Sequence, residues 1–313
     1  NLIKSDKEKA TAFVEKQMAT AFANDSLSEE DYMRLYRMNA MIENKKVADS
    51  LRNLIPEKFP QGSLATSSYY QKVYEAKGPA EKEKVFQDYE DKIGKENMYR
   101  NYMLSMLASE FAADGDIEKA KEYASKISEK GREASAYNSI AWKLAEEGKD
   151  LGKAQEISKK SLDLIENIDP KEDKPKTQTA SQYKSNLDYM KVMYEDTYAT
   201  IMYKQGDLKE AIKYQEMAAN SKTADAEITE KYIQYLVEDK QYETAKEKAA
   251  SFIAKNKGSE KLNEYYKEAY TAVGDTAGFE KELAMLEEKG HQKAKSDIKK
   301  MMIDDDASQF TLK

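Results

Sequence analysis

A repeat of 34 residues constrains this chain more than any other feature of its sequence. Its units share an apolar helix end, a short polar turn and an alanine opening the next helix. The alanines Ala120 and Ala154 lie 34 residues apart, and so do Ala211 and Ala245. The gap between the two pairs is 57 residues, which is one period plus an insertion of 23. The units are FAADGDIEKAKEYA (111–124), LAEEGKDLGKAQEIS (144–158), MYKQGDLKEAIKYQ (202–215) and LVEDKQYETAKEKA (236–249).

The turn residues of these units predict helical hairpins. A glycine such as Gly206 adopts the left-handed backbone that ends a helix, and Asp207 can accept from the free N–H groups that begin the next one. Ala211 lets the two helices approach closely, where a larger side chain would hold them apart. With only 12 glycines and 5 prolines in 313 residues, a many-stranded fold is poorly supported. The sequence therefore predicts an all-α stack of antiparallel helix hairpins.

The stretch YATIMYKQGDLKEAIKYQEMA resembles a tetratricopeptide repeat, whose small, Gly-Asp and alanine positions are filled by Ala199, Gly206, Asp207, Ala211 and Ala218. The resemblance covers residues 100–252 well and 30–100 loosely. It implies a right-handed solenoid of about six hairpins. The expected divisions are N-terminal hairpins over 1–99 and repeats over 100–300. An exposed inserted loop is expected at 165–186, where two prolines occur and few residues are apolar.

The composition excludes several classes of chemistry. The chain has no cysteine and one histidine, so a disulfide, a thiolate zinc site and a Cys-x-x-Cys pair are impossible within it. His291 lies in a polar run and is interpreted as a solvated residue. No phosphate-cradling glycine loop is present. We therefore expect no catalytic residue, no cofactor and no metal site, although a pair of carboxylates for glycoside chemistry stays open in a protein this rich in Glu.

The charge and hydropathy of the chain limit the classes of partner that it can bind. The net charge is −7, with basic and acidic residues interspersed, whereas nucleic acid selects a concentrated basic stripe. The apolar runs are far too short to span a bilayer. We therefore expect a protein or peptide ligand, no nucleic acid and no transmembrane segment.

The tetratricopeptide resemblance also implies which residues line a binding groove. In such arrays the first helix of each hairpin lines the concave face. Trp142 would be a strong peptide anchor there, through its large apolar area and its N–H donor; the alternative is a Trp packed between hairpins. The groove positions carried over by alignment are Tyr102, Asn138, Trp142, Thr200, Tyr203 and Gln234.

Two further sets of residues are open to a ligand-binding interpretation. A stripe of tyrosines can be interpreted as a stacking surface for sugar or peptide, or as core with solvent-reaching hydroxyls. Three acidic residues can be interpreted as favouring a basic ligand, or as solvated helix surface. The tyrosines are Tyr69, Tyr70, Tyr74, Tyr189, Tyr194, Tyr198 and Tyr203, and the acidic residues are Glu227, Glu230 and Glu238.

The C-terminal residues predict a departure from the helical pattern. Three aspartates at 304–306 are expected to break the helix, and QFTLK to begin a strand. Calcium binding by the aspartates is the less favoured interpretation. The tail resembles the leading A-P-x-F-x-L strand of thioredoxin-like domains in exported bacterial thiol-disulfide oxidoreductases of the peroxiredoxin and TlpA-like branch. Ala307, Phe310 and Leu312 match, and Ser308 stands where the family has proline.

A second segment carries the same resemblance, since residues 43–65 are similar to the helical region preceding that domain. The resemblance implies that 301–313 are a linker and the first strand of a thioredoxin-like domain whose Cys-x-x-Cys lies downstream. The chain begins with Asn1 rather than Met, so a removed leader or a longer parent is expected. Together these features predict an exported protein, periplasmic or associated with the bacterial cell envelope.

Three functional hypotheses follow. The first is a non-catalytic scaffold module that positions partner or substrate proteins for a thioredoxin-like domain. The second is a stand-alone adaptor that binds a peptide segment in its concave groove. The third is an enzyme with a carboxylate pair in that groove. Reading the parent gene past Lys313 separates the first from the second, and a water-poor pocket with perturbed carboxyl pKa values would mark the third.

Overall fold

The computed structural model describes residues 7–23, 26–94, 96–274 and 276–310, with side chains up to residue 300. Within these ranges the chain is all-helical, with no strand and with neighbouring helices packed in pairs, as a helical repeat requires. The helices are α1 (Lys7–Phe22), α2 (Glu29–Met41), α3 (Lys45–Lys58), α4 (Ser63–Glu75), α5 (Gly78–Lys92), α6 (Met98–Asp114), α7 (Ile117–Ser125), α8 (Lys130–Glu147), α9 (Leu151–Glu166), α10 (Ala180–Gln205), α11 (Leu208–Ala219), α12 (Ala226–Glu238), α13 (Tyr242–Ile253), α14 (Glu260–Ala272) and α15 (Phe279–Phe310).

The turn chemistry expected from the sequence is present at the hairpin turns. Gly206 ends α10 with φ +85°, and the Asp207 carboxylate accepts from the backbone N–H of Glu210 at 3.1 Å. Gly115 and Asp116 make the same turn between α6 and α7. All four repeat alanines, Ala120, Ala154, Ala211 and Ala245, are fully buried. The predicted helix pairing and its close crossings are confirmed.

Lys240 occupies the position where the other hairpins have glycine. Its backbone is nevertheless left-handed, with φ +59°. The N–H of Gln241 closes the turn by donating to the carbonyl of Leu236 at 2.9 Å. Tertiary packing thus imposes the same turn on a residue that favours it less, at a cost of about 1 kcal/mol.

The chain divides into two compact units, residues 1–128 and 129–313. In the first, α2 and α3 enclose a cluster of Tyr32, Leu35, Leu51 and Ile55. In the second, one cluster runs from α10 to α15 and includes Tyr232, Leu236, Phe252 and Tyr266. Each unit therefore has an apolar core of its own.

The inserted segment is shorter as a loop than predicted. Helix α9 ends at Glu166 and α10 begins at Ala180, so residues 180–186 are helical rather than part of a loop over 165–186. The Thr179 hydroxyl accepts from the N–H of Gln182, whose side chain accepts from the N–H of Thr179, and this capping box starts α10. Ile168 and Tyr183 are buried. The C-terminal part of the insertion therefore belongs to α10, which is 26 residues long.

The predicted helix break at the C-terminal aspartates is wrong. Helix α15 runs from Phe279 to Phe310 without interruption. Residues 291–310 contain no glycine or proline, and aspartate alone disfavours a helix by less than about 1 kcal/mol per residue. The expected linker is thus helical, and no strand begins at Phe310. The last three residues of the predicted strand lie outside the described residues.

Candidate functional site

A buried ion pair joins three helices on one face of the second unit. The Lys231 ammonium of α12 lies 3.0 Å from the Asp196 carboxylate of α10 and 5.6 Å from the ring centre of Trp142 of α8. The Asp196 side chain is 8% exposed and that of Lys231 is 20% exposed. We call the surface formed here by α8, α10, α12 and α14 the first-helix face, because these are the first helices of their hairpins.

The electrostatics of this pair favour the charged forms. Burial lowers the pKa of Lys231, but Asp196 and then Glu227 raise it by more, so that the pKa lies above its ordinary value. Asp196 is held from its other side by Gln215, whose amide donates to it at 2.7 Å and to the carbonyl of Ile228 at 3.1 Å. Because both ions are mostly buried and mutually satisfied, they fix the relative positions of α10, α11 and α12.

Further along the first-helix face, two tyrosines stack between α10 and α12. The rings of Tyr203 and Tyr235 have centres 4.5 Å apart and planes only 16° apart. The Tyr203 hydroxyl donates to Glu238 at 3.1 Å, and the Gln234 amide donates to the same carboxylate oxygen at 2.9 Å. Burial, followed by Glu238, raises the pKa of Tyr203. The phenol therefore stays protonated at physiological pH and keeps its O–H bonded to Glu238.

Burial raises the pKa of the neighbouring Tyr235. The hydroxyl of Thr200 is buried and has no hydrogen-bond partner among the described residues. Thr200 is itself 8% exposed, so little of it can meet a ligand. Its position on α10 lies one turn from Asp196 and one turn from Tyr203, which aligns the ion pair and the tyrosine stack along one side of the helix.

The structure brings together four of the six predicted groove residues. Trp142, Tyr203 and Gln234 lie on the first-helix face through the contacts described above, and Thr200 lies between Asp196 and Tyr203 on α10. Trp142 is partly exposed, so it is neither a free surface side chain nor a fully enclosed core residue.

The other two predicted groove residues, Asn138 and Tyr102, make none of these contacts. Asn138 lies one turn before Trp142 on α8, and its buried side-chain oxygen has no hydrogen-bond partner among the described residues. Tyr102 belongs to the first unit, where its ring centre lies 5.9 Å from that of Tyr70.

Sequence reasoning missed the residues that organise this face. Lys231, Asp196, Gln215 and Tyr235 supply its ion pair, its buried amide and its stacking partner. A signal for one of them exists in the sequence, since Asp196 interrupts the mostly apolar run VMYEDTYATIM. Helical spacing places this position against other helices, and a charged side chain that is buried there needs a partner of opposite charge.

The described residues offer no constellation for metal chemistry. Among them, no group of three or more His, Asp or Glu side chains is arranged to hold a metal ion, and His291 is exposed. One carboxyl is strongly perturbed: burial raises the pKa of Glu195 to about 7, against the opposing influence of Lys191. Glu166, which adds to the rise, is exposed. The hypothesis of a carboxylate enzyme remains a prediction.

Comparison with known proteins gives no family for this chain. No protein-family model matches its sequence, and no curated protein matches it. Across the part of the chain that the structure describes, no helix combines the length and apolar character needed to cross a bilayer.

Proposed function

We propose that this chain is a non-catalytic helical-repeat module that binds protein segments on the first-helix face. The observation that carries the proposal is the placement of Trp142, Tyr203 and Gln234, three partly exposed side chains, around a rigid buried framework. An aromatic anchor with a polar donor, held in place before binding, loses little conformational entropy when a peptide docks. In this proposal the hairpins form a right-handed solenoid of about six units.

We further propose that the module belongs to an exported thioredoxin-like thiol-disulfide oxidoreductase and positions substrate proteins for it. Support comes from the resemblance of residues 43–65 and of the tail to that group of proteins. The helical backbone of residues 301–310 weakens the tail resemblance, because the family has a strand where these residues form a helix. A parent gene that encodes a Cys-x-x-Cys downstream of Lys313 is the expected result, and a gene that lacks one leaves the stand-alone adaptor.

The binding proposal is tested by Trp142→Ala. Peptides are first selected from a random display library on the whole chain, and their affinities are then measured by titration. We expect Trp142→Ala to weaken the selected peptides at least about tenfold, equivalent to about 1.4 kcal/mol, while Trp142→Phe retains most of the affinity. The melting temperature should change little, since Trp142 is only partly buried.

The control is Tyr189→Ala, which removes an aromatic side chain that is 52% exposed on α10. It should leave affinity unchanged. If Trp142→Ala lowers the melting temperature strongly and binds the peptides as well as the wild type, Trp142 is a packing residue and the proposal is wrong.

A further inference from the structure

The first unit contains an open cleft between α3 and α4, closed at one end by the start of α6. Its volume is about 1030 Å³, at the upper end of the range of roughly 300–1,000 Å³ that small-molecule sites occupy. We call it the tyrosine cleft. It is lined by Arg52, Asn53, Pro56, Glu57, Leu64, Ser67, Ser68, Tyr70, Gln71, Tyr74, Glu75 and Tyr99.

The aromatic lining of the tyrosine cleft is partly fixed and partly free. The Tyr70 ring centre lies 5.6 Å from that of Tyr99 and 5.9 Å from that of Tyr102, so neighbouring rings hold it in place. Tyr74 is one helical turn further along α4 and is 68% exposed. A large ring so exposed on a well-formed helix is not explained by the packing of the unit.

The polar lining of the cleft consists largely of flat, two-pronged groups. Arg52 and Glu57 are exposed on α3, and neither forms an ion pair with another described residue. On the opposite wall the Gln71 amide donates to the Glu75 carboxylate at 2.8 Å. A guanidinium presents two donors side by side, a carboxylate two acceptors, and an amide one donor beside one acceptor, and each of these pairs matches two hydroxyl groups on adjacent carbons.

The apolar content and the charge of the cleft narrow the ligand class. Apart from the tyrosines, Leu64 and Pro56 are its apolar lining residues, so it offers few pockets for the apolar side chains of a peptide. One arginine faces two glutamates, a balance that selects neither a strongly acidic nor a strongly basic polymer. A sugar ring has a C–H face that packs on tyrosine and a rim of hydroxyls that hydrogen-bond to two-pronged groups.

We propose that the tyrosine cleft binds a neutral oligosaccharide. The Tyr74 ring packs against the C–H face of a sugar, while Arg52, Glu57, Gln71 and Glu75 bond to its hydroxyl groups. The volume of the cleft accommodates several sugar units rather than one. This site is separate from the first-helix face, and the inference stands whether or not that face binds peptides.

The experiment titrates the full chain with a panel of soluble neutral oligosaccharides. The panel consists of linear chains of several units of β-1,4-glucose, α-1,4-glucose, β-1,4-xylose, β-1,4-mannose and β-1,4-N-acetylglucosamine. Each is titrated up to millimolar concentration, and binding is measured by calorimetry. We expect saturable binding of at least one of them. Tyr74→Ala should weaken that binding about tenfold or more, and Tyr74→Phe should retain it, because the ring face rather than the hydroxyl makes the contact.

Two controls make the outcome decisive. Tyr189→Ala removes a comparably exposed tyrosine of the second unit and should leave sugar binding intact. Circular dichroism verifies that Tyr74→Ala folds, as its exposure predicts. The inference is overturned if no panel member binds saturably, or if Tyr74→Ala binds as well as the wild type. It is also overturned if peptides selected on the whole chain bind at this cleft and none of the oligosaccharides does.

Discussion

Glu195 is a carboxyl group with very little access to water. The residue is 4% exposed, and its nearest cation, the Lys191 ammonium one turn away on α10, lies at 4.0 Å. Burial raises its pKa from 4.5 to about 7, and Lys191 only partly offsets this. A carboxyl whose pKa is higher in the folded state resists ionisation there, so its ionisation destabilises the fold. That penalty is absent below about pH 4.5 and complete above about pH 7.

Replacing Glu195 with glutamine should therefore stabilise the protein in a pH-dependent manner. At about pH 8 we expect Glu195→Gln to raise the free energy of unfolding by about 2 kcal/mol, because glutamine carries no charge to desolvate. At about pH 4 the variant and the wild type should be nearly equal. Urea denaturation at both pH values measures the difference. Glu247→Gln, at an exposed position on α13, is the control, and an equal gain at both pH values would contradict the assignment.

At the scale of single residues, the sequence predicts types of position better than partners. Trp142 is recognisable as a binding candidate because it is the only tryptophan and lies on a first helix. Its cationic neighbour Lys231 lies far along the chain in another hairpin. Helical spacing indicates which face a residue occupies, but it does not reveal which distant residue meets that face. Hence the roles of Asp196, Gln215 and Lys231 depend on helix packing that the sequence pattern does not contain.

At the scale of helices and turns, the hairpin glycines are predictable because their backbone demands them. Gly206 has φ +85°, and no atom lies within 4 Å of the position that a β-carbon would take, so only backbone strain opposes a larger residue there. Gly152, near the start of α9, has ordinary helical backbone and equally open surroundings. The two glycines therefore isolate the effect of the left-handed conformation.

The matched pair Gly206→Ala and Gly152→Ala tests this difference. We expect Gly206→Ala to lower the free energy of unfolding by about 1 kcal/mol, because an alanine side chain clashes with its own backbone in the left-handed region. Gly152→Ala should raise it by about 0.5 kcal/mol, through better helix propensity and a less flexible unfolded chain. Chemical denaturation of both variants gives the values. Changes of the same sign in both would show that the turn geometry is not the determinant.

Helix lengths are less predictable than hairpin turns. The segment at 165–186 has two prolines and many polar residues, which is typical of a loop, yet the capping box at Thr179 starts α10 within it. The three aspartates at 304–306 predict a break, yet α15 continues through them. In residues 180–186 and 301–310 the polar residues have adequate helix propensity, and neither stretch contains glycine or proline. Polarity by itself is weak evidence for a helix end.

At the scale of the whole molecule, the chain has two compact units, and each contains a cluster of buried apolar residues. The second unit includes a continuous cluster from Val192 to Phe279. Repeat proteins derive their stability from contacts between neighbouring hairpins, so a cut between α7 and α8 leaves most such contacts of each unit intact.

We expect residues 1–128 and 129–313 to fold when produced separately. Each fragment should show helical circular dichroism and a cooperative thermal transition, because each retains its own core. The intact chain provides the reference spectrum, which the two fragments should approximate when added. A fragment that is unfolded, or that melts without cooperativity, would contradict the independence of the units.

The length of α10 has a consequence for how this protein tolerates insertions and deletions. At 26 residues the helix is about 39 Å long, about twice the length of its 12-residue partner α11. Each residue gained or lost before Asp196 turns everything that precedes it by about 100° relative to the ion pair. The effect of a change in this segment therefore depends on its length. Seven residues restore the angular position of Tyr183 to within about 20° and move it about 10 Å along the helix axis, whereas two or five residues also rotate it away from the neighbours that bury it. A polar loop can change in length without rotating the residues beside it, whereas in a continuous helix the number of inserted residues sets the rotation.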